Sequence, residues 1–203
     1  LELIGEYQSF VISRVVIDLE ALLESEWLYI EGYLLTDDMR TSVISDVVSK
    51  AKSAGVKVAL SLSDPFVARN HAISLRSVIG DGIDLIFCNK DEALAYSQTE
   101  TIDDACDALK QSAKIFAVTD GANGAIIFDG QSTVSLPGVP ADAVDTNGAG
   151  DMFAGAFLYA LIAGCDLKFA GALANESAAR VVGKFGPRLD ALEFDSIKQQ
   201  FEI

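Results

Sequence analysis

The chain has 203 residues, half of them hydrophobic, with 15 Lys and Arg against 30 Asp and Glu and a formal net charge of -15. This length suits a single domain with one hydrophobic core, so we expect residues 1–203 to form one domain. The acidic balance lacks the positive footprint of nucleic-acid-binding proteins and argues against DNA or RNA as a partner.

Strands and helices are predicted to alternate along the first half of the chain. Residues 27–30 form a short apolar strand, and residues 38–53 form a helix with one apolar side. Residues 56–62 are the next strand, a helix over 65–78 begins with a proline, and residues 83–88 are a third strand. Such alternation favours an α/β fold with a mostly parallel sheet and helices on both faces.

The second half is predicted to be mainly helical around one hairpin. In open sheets of this class, ligands bind outside the carboxyl ends of the strands. Asn89, Thr119 and Asp151 each follow a strand or lead into a helix, so we expect them along one rim of the sheet. The predicted helices cover residues 91–96, 102–112, 149–164, 167–184 and 190–201, and the hairpin covers residues 115–136.

Cysteine usage and apolar runs exclude other classes. The three cysteines are widely spaced without a C-x-x-C pair, which indicates reduced thiols in a cytoplasmic protein and neither a disulfide framework nor a zinc site. The one histidine, His71, has no second histidine or serine elbow beside it, which argues against histidine-dependent hydrolysis. The longest apolar run, residues 152–164, is shorter than the roughly 20 residues that span a bilayer, so no membrane partner is expected.

Residues 145–151 read D-T-N-G-A-G-D and run directly into an apolar helix. Gly148, Ala149 and Gly150 have almost no side chain, so a ligand could approach their N–H groups closely. The first N–H groups of a helix have no partner within it and favour anions. Asp151 has two interpretations: a first-turn carboxylate that interacts with the helix dipole, or a general base beside a bound phosphate.

This stretch resembles the D-T-x-G-A-G-D signature of the ribokinase-type (PfkB) carbohydrate kinases, which include ribokinase, fructokinase and adenosine kinase. The resemblance implies that Asp151 is the catalytic base. It also implies that Gly148, Ala149 and Gly150 form the anion hole for the transferring phosphoryl group. Asp145 and Asn147 would hold a potassium ion next to this loop.

A second stretch, N-K-D-E at residues 89–92, resembles the N-x-x-E motif of the same family. The resemblance implies that Asn89 and Glu92 order Mg²⁺ and its waters around the nucleotide phosphates, in keeping with the preference of Mg²⁺ for oxygen ligands and water. Taken without the resemblance, the same residues also fit an ordinary helix start, in which Asn89 is the N-cap and Glu92 lies in the first turn.

A third stretch resembles the family's T-x-G-x-x-G segment, which lies beside the nucleotide. It comprises Thr119, Gly121 and Gly124 in a predicted strand, turn and strand. A plain hairpin whose two glycines adopt positive φ explains the same residues.

The segment 174–186 resembles, more loosely, the helix and loop that border the adenine in these kinases. It marks Asn175 and Gly186 as nucleotide-binding candidates, against the alternative of a polar helix residue and a helix C-cap. Many relatives have Gly-Ala after this helix, whereas this chain has Gly186-Pro187, which puts the loop geometry and any monovalent-cation site in question.

The resemblance covers about residues 27–203, and the family's glycine-rich substrate motif and β lid are not recognisable in the chain. The expected fold is therefore the ribokinase-like α/β sheet without its lid, corresponding to the C-terminal two thirds of the family fold, with residues 1–26 as a remnant of the substrate half. The stretches 29–33 and 61–66 look most like the adenosine kinase and related sugar kinase branch.

The implied function is transfer of the γ-phosphoryl group of ATP, with Mg²⁺, to an alcohol group of a sugar or nucleoside. The alternative is a catalytically incomplete relative that binds only a nucleotide or a partner protein. The sequence fixes neither the acceptor nor the oligomeric state, although lids in this family often pair subunits into a homodimer.

Overall fold

A computed structural model of the protein describes residues 17–203. Six strands in this part form one sheet whose spatial order follows the chain order. β1 to β4 are parallel to one another, whereas β5 runs antiparallel to β4 and β6 antiparallel to β5. The strands are β1 (Trp27–Glu31), β2 (Lys57–Ser61), β3 (Ile83–Asn89), β4 (Ala113–Thr119), β5 (Ala125–Phe128) and β6 (Thr133–Leu136).

Nine α-helices and two short 3₁₀ helices, Gly32–Leu35 and Gly121–Asn123, accompany the sheet in residues 17–203. The α-helices are α1 (Leu19–Leu23), α2 (Asp38–Ser53), α3 (Pro65–Asn70), α4 (Ala72–Ile79), α5 (Lys90–Ser97), α6 (Ile102–Leu109), α7 (Ala149–Ile162), α8 (Leu167–Val182) and α9 (Ala191–Phe201).

The helices divide between the two faces of the sheet according to their place in the chain. Crossovers between parallel strands are right-handed, so helices that connect strands lying in sequential order all fall on one face. Residues of α2 to α6 accordingly pack into one hydrophobic core with β1 to β4. Residues of α7, α8 and α9 pack into a second core on the opposite face. The predicted mostly parallel sheet with helices on both faces is confirmed.

Successive side chains of the central strand β3 point alternately into the two hydrophobic cores. In β3, Ile86 and Cys88 belong to the core of α2 to α6, whereas Leu85 and Phe87 belong to the core of α7 to α9. This is the period of two expected of a strand whose faces are both buried.

The long apolar helix α7 is anchored to the sheet by aromatic rings. The ring centroids of Phe87 and Phe157 lie 5.5 Å apart in an edge-to-face arrangement, and Phe153 stacks on Phe157 at 5.9 Å. Phe157 is fully buried. This cluster fixes the position of α7, and with it the position of the loop at its N-terminus.

Most predicted elements agree with the structure, and the helix over 38–53 has the predicted bounds. The predicted single helix over residues 65–78 is wrong, because the chain forms α3 and α4 with a break at His71, whose φ of -112° and ψ of 22° are not helical. Asn70 and His71 are weak helix formers, which favours a break at this point.

The hairpin prediction over 115–136 holds, and the turn between β4 and β5 contains Gly121 at φ 52° and Gly124 at φ 98°. Of residues 1–26, the predicted remnant of a substrate-binding half, residues 1–16 lie outside the described part, and α1 lies in the remainder. Between residues 17 and 203, none of the helices has the length and apolarity required to cross a bilayer.

Replacing Phe157 by alanine is expected to lower the free energy of unfolding by about 3 to 5 kcal/mol, the usual cost of truncating a buried aromatic side chain. Ile162→Ala on the same helix removes a side chain that is 55% exposed and should change stability by less than about 1 kcal/mol. Urea unfolding of both variants measures the difference, and equal losses would contradict the anchoring role of Phe157.

Candidate active site

The carboxyl ends of the parallel strands meet along one edge of the sheet, which we call the rim. Glu31 at the end of β1 is in register with Ser61 of β2, and Asn89 at the end of β3 is in register with Thr119 of β4. Open α/β sheets bind their ligands at this edge. The structure therefore brings Asn89 and Thr119 together as predicted.

The charge of Asp151, in the first turn of α7, acts on two tyrosines near this rim. The pKa of Tyr29 on β1 is raised, mainly by burial of the side chain. The negative charges of Glu31 and Asp151 raise this pKa further. The charge of Asp151 also contributes to the raised pKa of Tyr33, which burial again dominates. The charge of Asp151 is therefore felt at Tyr29 on β1 and at Tyr33 just after it.

The N-terminus of α7 leaves backbone donors free. Gly148 precedes the helix at φ 80° and ψ 0°, and its carbonyl accepts the N–H of Met152 at 2.8 Å, which is the first bond of α-helical type. The N–H of Ala149 donates to the carbonyl of Thr146 at 3.3 Å. The N–H groups of Gly150 and Asp151 precede the helical ladder and are the donors that an anion would meet.

Asp145 fixes the loop that leads to this helix. Its Oδ1 accepts the N–H of Asn147 at 3.0 Å, and its Oδ2 accepts the N–H of Gly186 at 3.2 Å. These two hydrogen bonds, that of Asn147 first, lower the pKa of Asp145. The carboxylate is therefore engaged by backbone donors on both oxygens, and the predicted potassium site at Asp145 and Asn147 stays a prediction.

Asn89 and Glu92 form a reciprocal capping box at the start of α5. Asn89 Oδ1 accepts the N–H of Glu92 at 2.9 Å, and the N–H of Asn89 donates to Glu92 Oε2 at 3.0 Å. The amide Nδ2 of Asn89 also donates to Glu92 Oε1 at 2.6 Å. The capping interpretation is thus realised in the structure, and the capping bonds hold the carboxylate at the rim in a fixed orientation.

The surroundings of Glu92 are acidic and largely closed to solvent. Glu92 is 6% exposed, and this burial raises the pKa of its carboxyl to about 7. The hydrogen bond from the N–H of Asn89 opposes the increase in pKa. The negative charges of Asp64, Asp91 and Glu31 add to it. A hard divalent cation would relieve this repulsion, so the oxygen donors at the rim suit Mg²⁺. Over residues 17–203, no group of three or more His, Cys, Asp or Glu side chains is close enough to chelate a metal by protein ligands alone.

A cavity of about 570 Å³ opens beside the β4–β5 turn and the start of α7. Asn175, 8% exposed on α8, borders it and donates from Nδ2 to the carbonyl of Pro137 at 3.1 Å. The cavity collects six of the predicted site residues, which are Thr119, Gly121, Gly124, Ala149, Gly150 and Asn175. Its size suits a small organic ligand.

The other predicted residues lie around this cavity instead of in its wall. Asp151 borders a second cleft, of about 820 Å³, between α7 and α9, where Tyr159 and Phe194 are also found. The first turn of α7 therefore separates two spaces, with Gly150 on one side and Asp151 on the other. Residues 145, 147, 148 and 186 form the loops behind this turn, and residues 89 and 92 lie along the rim.

Sequence reasoning missed several residues at the site. Glu31 and Asp64 add carboxylates to the rim, and Glu31 could have been found because it ends a buried strand as Asn89 does. Gly138 shows no such signal: a Cβ there would lie 2.1 Å from the carbonyl oxygen of Ala122, so its role is a close approach of two backbones that only the fold creates. Thr146 also lines the smaller cavity.

Comparison with known protein families gives one clear match. The model of the pfkB family carbohydrate kinases matches residues 8–193. Among curated proteins, the cytidine kinase of Thermococcus kodakarensis is 34% identical over 115 residues, which cover 55% of this chain and 41% of that protein. The adenosine kinase of Saccharomyces cerevisiae is 29% identical over 172 residues, 78% of this chain and 50% of its own length.

Solved structures agree with the sequence relatives. The adenosine kinase of Sinorhizobium meliloti superposes with a TM-score of 0.85 at 30% identity, covering 91% of this chain and 57% of that one. This chain therefore spans about half the length of the relatives it matches.

Glu92→Gln is expected to change how stability depends on pH. The folded-state pKa of Glu92, about 7, lies above its ordinary 4.5, so Glu92 stabilises the fold when protonated, and this contribution is lost as pH rises through about 7. Relative to Glu92→Gln, the unsubstituted protein should lose stability between pH 5 and pH 8, by a difference on the order of 3 kcal/mol, since one pKa unit corresponds to about 1.4 kcal/mol.

Urea unfolding across this range, without divalent cations, measures that difference. Glu24→Gln, at an exposed position, controls for the loss of one negative charge. A gap between the unsubstituted protein and Glu92→Gln that stays constant from pH 5 to pH 8 would show that the carboxyl is not held in the buried, acidic setting described.

Proposed function

The chain belongs to the pfkB family of carbohydrate kinases, and from this premise and the geometry of the rim we propose that its protein transfers the γ-phosphoryl group of ATP to an alcohol group of a nucleoside. The observation that carries the proposal is the first turn of α7. It places Gly150 at the smaller cavity and Asp151 at the neighbouring cleft.

In this proposal the nucleotide occupies the cavity of about 570 Å³. Its phosphates point toward Gly150 and the N-terminus of α7, where unpaired N–H groups and the helix dipole favour negative charge. The turn at Gly121 and Gly124 and the amide of Asn175 line the part of the cavity left for the nucleoside moiety of ATP. A protein with a net charge of -15 needs such local donors, because its overall field repels an anion.

Phosphoryl transfer requires little of the protein beyond positioning, neutralising charge and removing a proton. Asp151 accepts the proton of the attacking hydroxyl, which turns the alcohol into a nucleophile. The N–H groups of Gly150 and Asp151 stabilise the negative charge on the transferring group as it develops. Because donors and base sit on the same helical turn, their relative placement is fixed by the helix itself.

Glu92 and Asn89 would hold Mg²⁺ at the rim through its waters, where the ion would neutralise phosphate charge. The capping bonds keep the Glu92 carboxylate in place. The nearby carboxylates Asp64 and Glu31 make the rim more negative and favour a cation there.

The acceptor is proposed to lie over the ends of β1 and β2, within reach of Asp151. Glu31 is held there by the hydroxyl of Ser63, which donates to Oε2 at 3.1 Å. A carboxylate in this place can accept hydrogen bonds from sugar hydroxyls. Tyr33 and Phe66, 53% and 66% exposed, flank the same edge on the 3₁₀ helix and α3, which pack against each other. Exposed aromatic rings beside hydroxyl acceptors suit a nucleoside, whose base can stack on them.

Asp151→Asn is expected to lower kcat about a hundredfold to ten-thousandfold, the usual effect of removing a general base. The binding of Mg-ATP should be largely kept, because the substitution leaves the N–H donors of α7 in place. Asp195→Asn, which removes a carboxylate from α9 in the same cleft, is the matched control and should leave kcat within about twofold.

The measurement is steady-state transfer to adenosine and cytidine by the full-length protein, together with calorimetric titration of Mg-ATP. Turnover by Asp151→Asn within a few-fold of the unsubstituted protein would exclude Asp151 as the base. Binding of Mg-ATP without transfer to any alcohol would favour the alternative of a catalytically silent relative.

Phe66→Ala tests the nucleoside assignment. Loss of a stacked base contact costs about 1 to 3 kcal/mol, so the KM for a nucleoside should rise about fivefold to a hundredfold, while the KM for free ribose changes little. Ile73→Ala, at a position 85% exposed on α4, is the control for loss of an exposed apolar side chain. Equal kcat/KM for ribose and nucleosides in the unsubstituted protein would contradict the proposed acceptor class.

A further inference from the structure

Gly148, the residue before α7, lies directly against Pro187. A Cβ added to Gly148 would lie 2.4 Å from Cβ and 2.8 Å from Cα of Pro187. Gly148 also has φ 80°, which disfavours any other residue. The proline therefore occupies the space in which a side chain of residue 148 would lie, and it contacts the backbone of the loop that begins the anion site.

A second contact joins the same two loops at their other ends. We call residues 145–148 the anion loop and residues 183–190 the α8–α9 loop. The carboxylate of Asp145 accepts the N–H of Gly186 at 3.2 Å. The anion loop is thus held by the α8–α9 loop at its first residue through a hydrogen bond and at its last residue through the ring of Pro187.

The α8–α9 loop is itself well anchored. Lys184 pairs with Glu193 of α9, and Glu193 also accepts the N–H of Asp190 at 2.7 Å in the capping box of that helix. On the other side, the carbonyl of Val182 accepts the N–H of Val144 at 2.7 Å. Pro187 therefore lies in a loop that is tied to α9 on one side and, through the last residue of α8, to the segment before the anion loop on the other.

We propose that Pro187 is a positioning residue for phosphoryl transfer, which acts through Gly148 to hold the start of α7, with its N–H groups and Asp151, in place relative to the bound nucleotide. The inference rests on the proposed function. Pro187 also borders the cleft that contains Asp151, so the same ring lies behind both the donors and the base.

The chemistry of proline suits this task. Its ring fixes φ and removes backbone freedom, so the surface it presents to Gly148 does not fluctuate as a flexible residue would. Displacing catalytic groups by about 1 Å can cost on the order of a hundredfold in rate. A loose support would therefore impair transfer before it impaired binding of the ADP part of the nucleotide.

Two substitutions separate positioning from a general effect on folding. Pro187→Gly removes the Cβ that lies nearest to the backbone of Gly148, and it frees the backbone of residue 187. It should lower kcat about tenfold to a hundredfold, with little change in the KM for the acceptor. Pro187→Ala keeps Cβ, the Pro187 atom nearest to Gly148, but loses the ring that restricts φ, so it should lower kcat by only about threefold, less than Pro187→Gly.

The test uses the full-length protein, with steady-state kinetics and calorimetric titration of Mg-ATP and Mg-ADP, at a temperature where circular dichroism shows all variants folded. Pro187→Gly should also reduce the preference for ATP over ADP about tenfold, because that preference reports contacts with the γ-phosphate. A kcat within twofold of the unsubstituted protein, or equal losses in the Gly and Ala variants, would overturn the proposal.

Loss of the proposed activity and loss of the role of Pro187 would give different experimental results. If the unsubstituted protein transfers phosphoryl groups to no alcohol, the proposed function fails, and the preference for ATP over ADP still tests Pro187. An unchanged preference in Pro187→Gly would then overturn the positioning role. If transfer occurs and Pro187→Gly leaves it intact, the positioning role alone is wrong.

Discussion

The rest of the structure depends on the packing of α7 against β3 through Phe87, Phe153 and Phe157. These rings set the height of the helix above the sheet. Because Gly150 and Asp151 lie within one turn of Phe153, the same contacts set where the free N–H groups and the carboxylate stand relative to the strand ends. A hydrophobic interaction on one face of the sheet thereby determines the geometry of a polar site at its edge.

Electrostatics impose the second constraint. The chain carries a net charge of -15, and three of its acidic residues, Glu31, Asp64 and Glu92, lie near one another at the rim. A phosphate-bearing ligand can approach such a rim only where backbone donors or a bound cation reverse the local sign. The start of α7 provides the donors, and the carboxylates that repel an anion are also the groups that attract a divalent cation. The metal nucleotide of the proposed function would thus find a partner for its positive charge and another for its negative charge.

Much of the fold could be predicted from the sequence, because the apolar side of α2 and the apolar runs of β3 and α7 are local features of the chain. The break at His71 could not, since it depends on backbone angles that the apolar pattern does not reveal. At Asn89 and Glu92, helix capping and metal binding use the same side-chain atoms. The residue types alone therefore do not distinguish a cap from a metal site, whereas the structure shows that the cap is formed. Gly124 and Asn175 are 51 residues apart in the chain, and they line the same cavity only because tertiary packing brings their segments together. The sequence alone does not reveal this contact.

The sequential order of the strands has an evolutionary consequence. The proposed acceptor side, from Glu31 to Phe66, is encoded in the first part of the chain, whereas the cavity and anion loop come almost wholly from residues after 118. Mutations that alter the recognised alcohol can therefore accumulate without touching the transfer machinery. The relatives of this chain include a cytidine kinase and adenosine kinases, whose names give different acceptors.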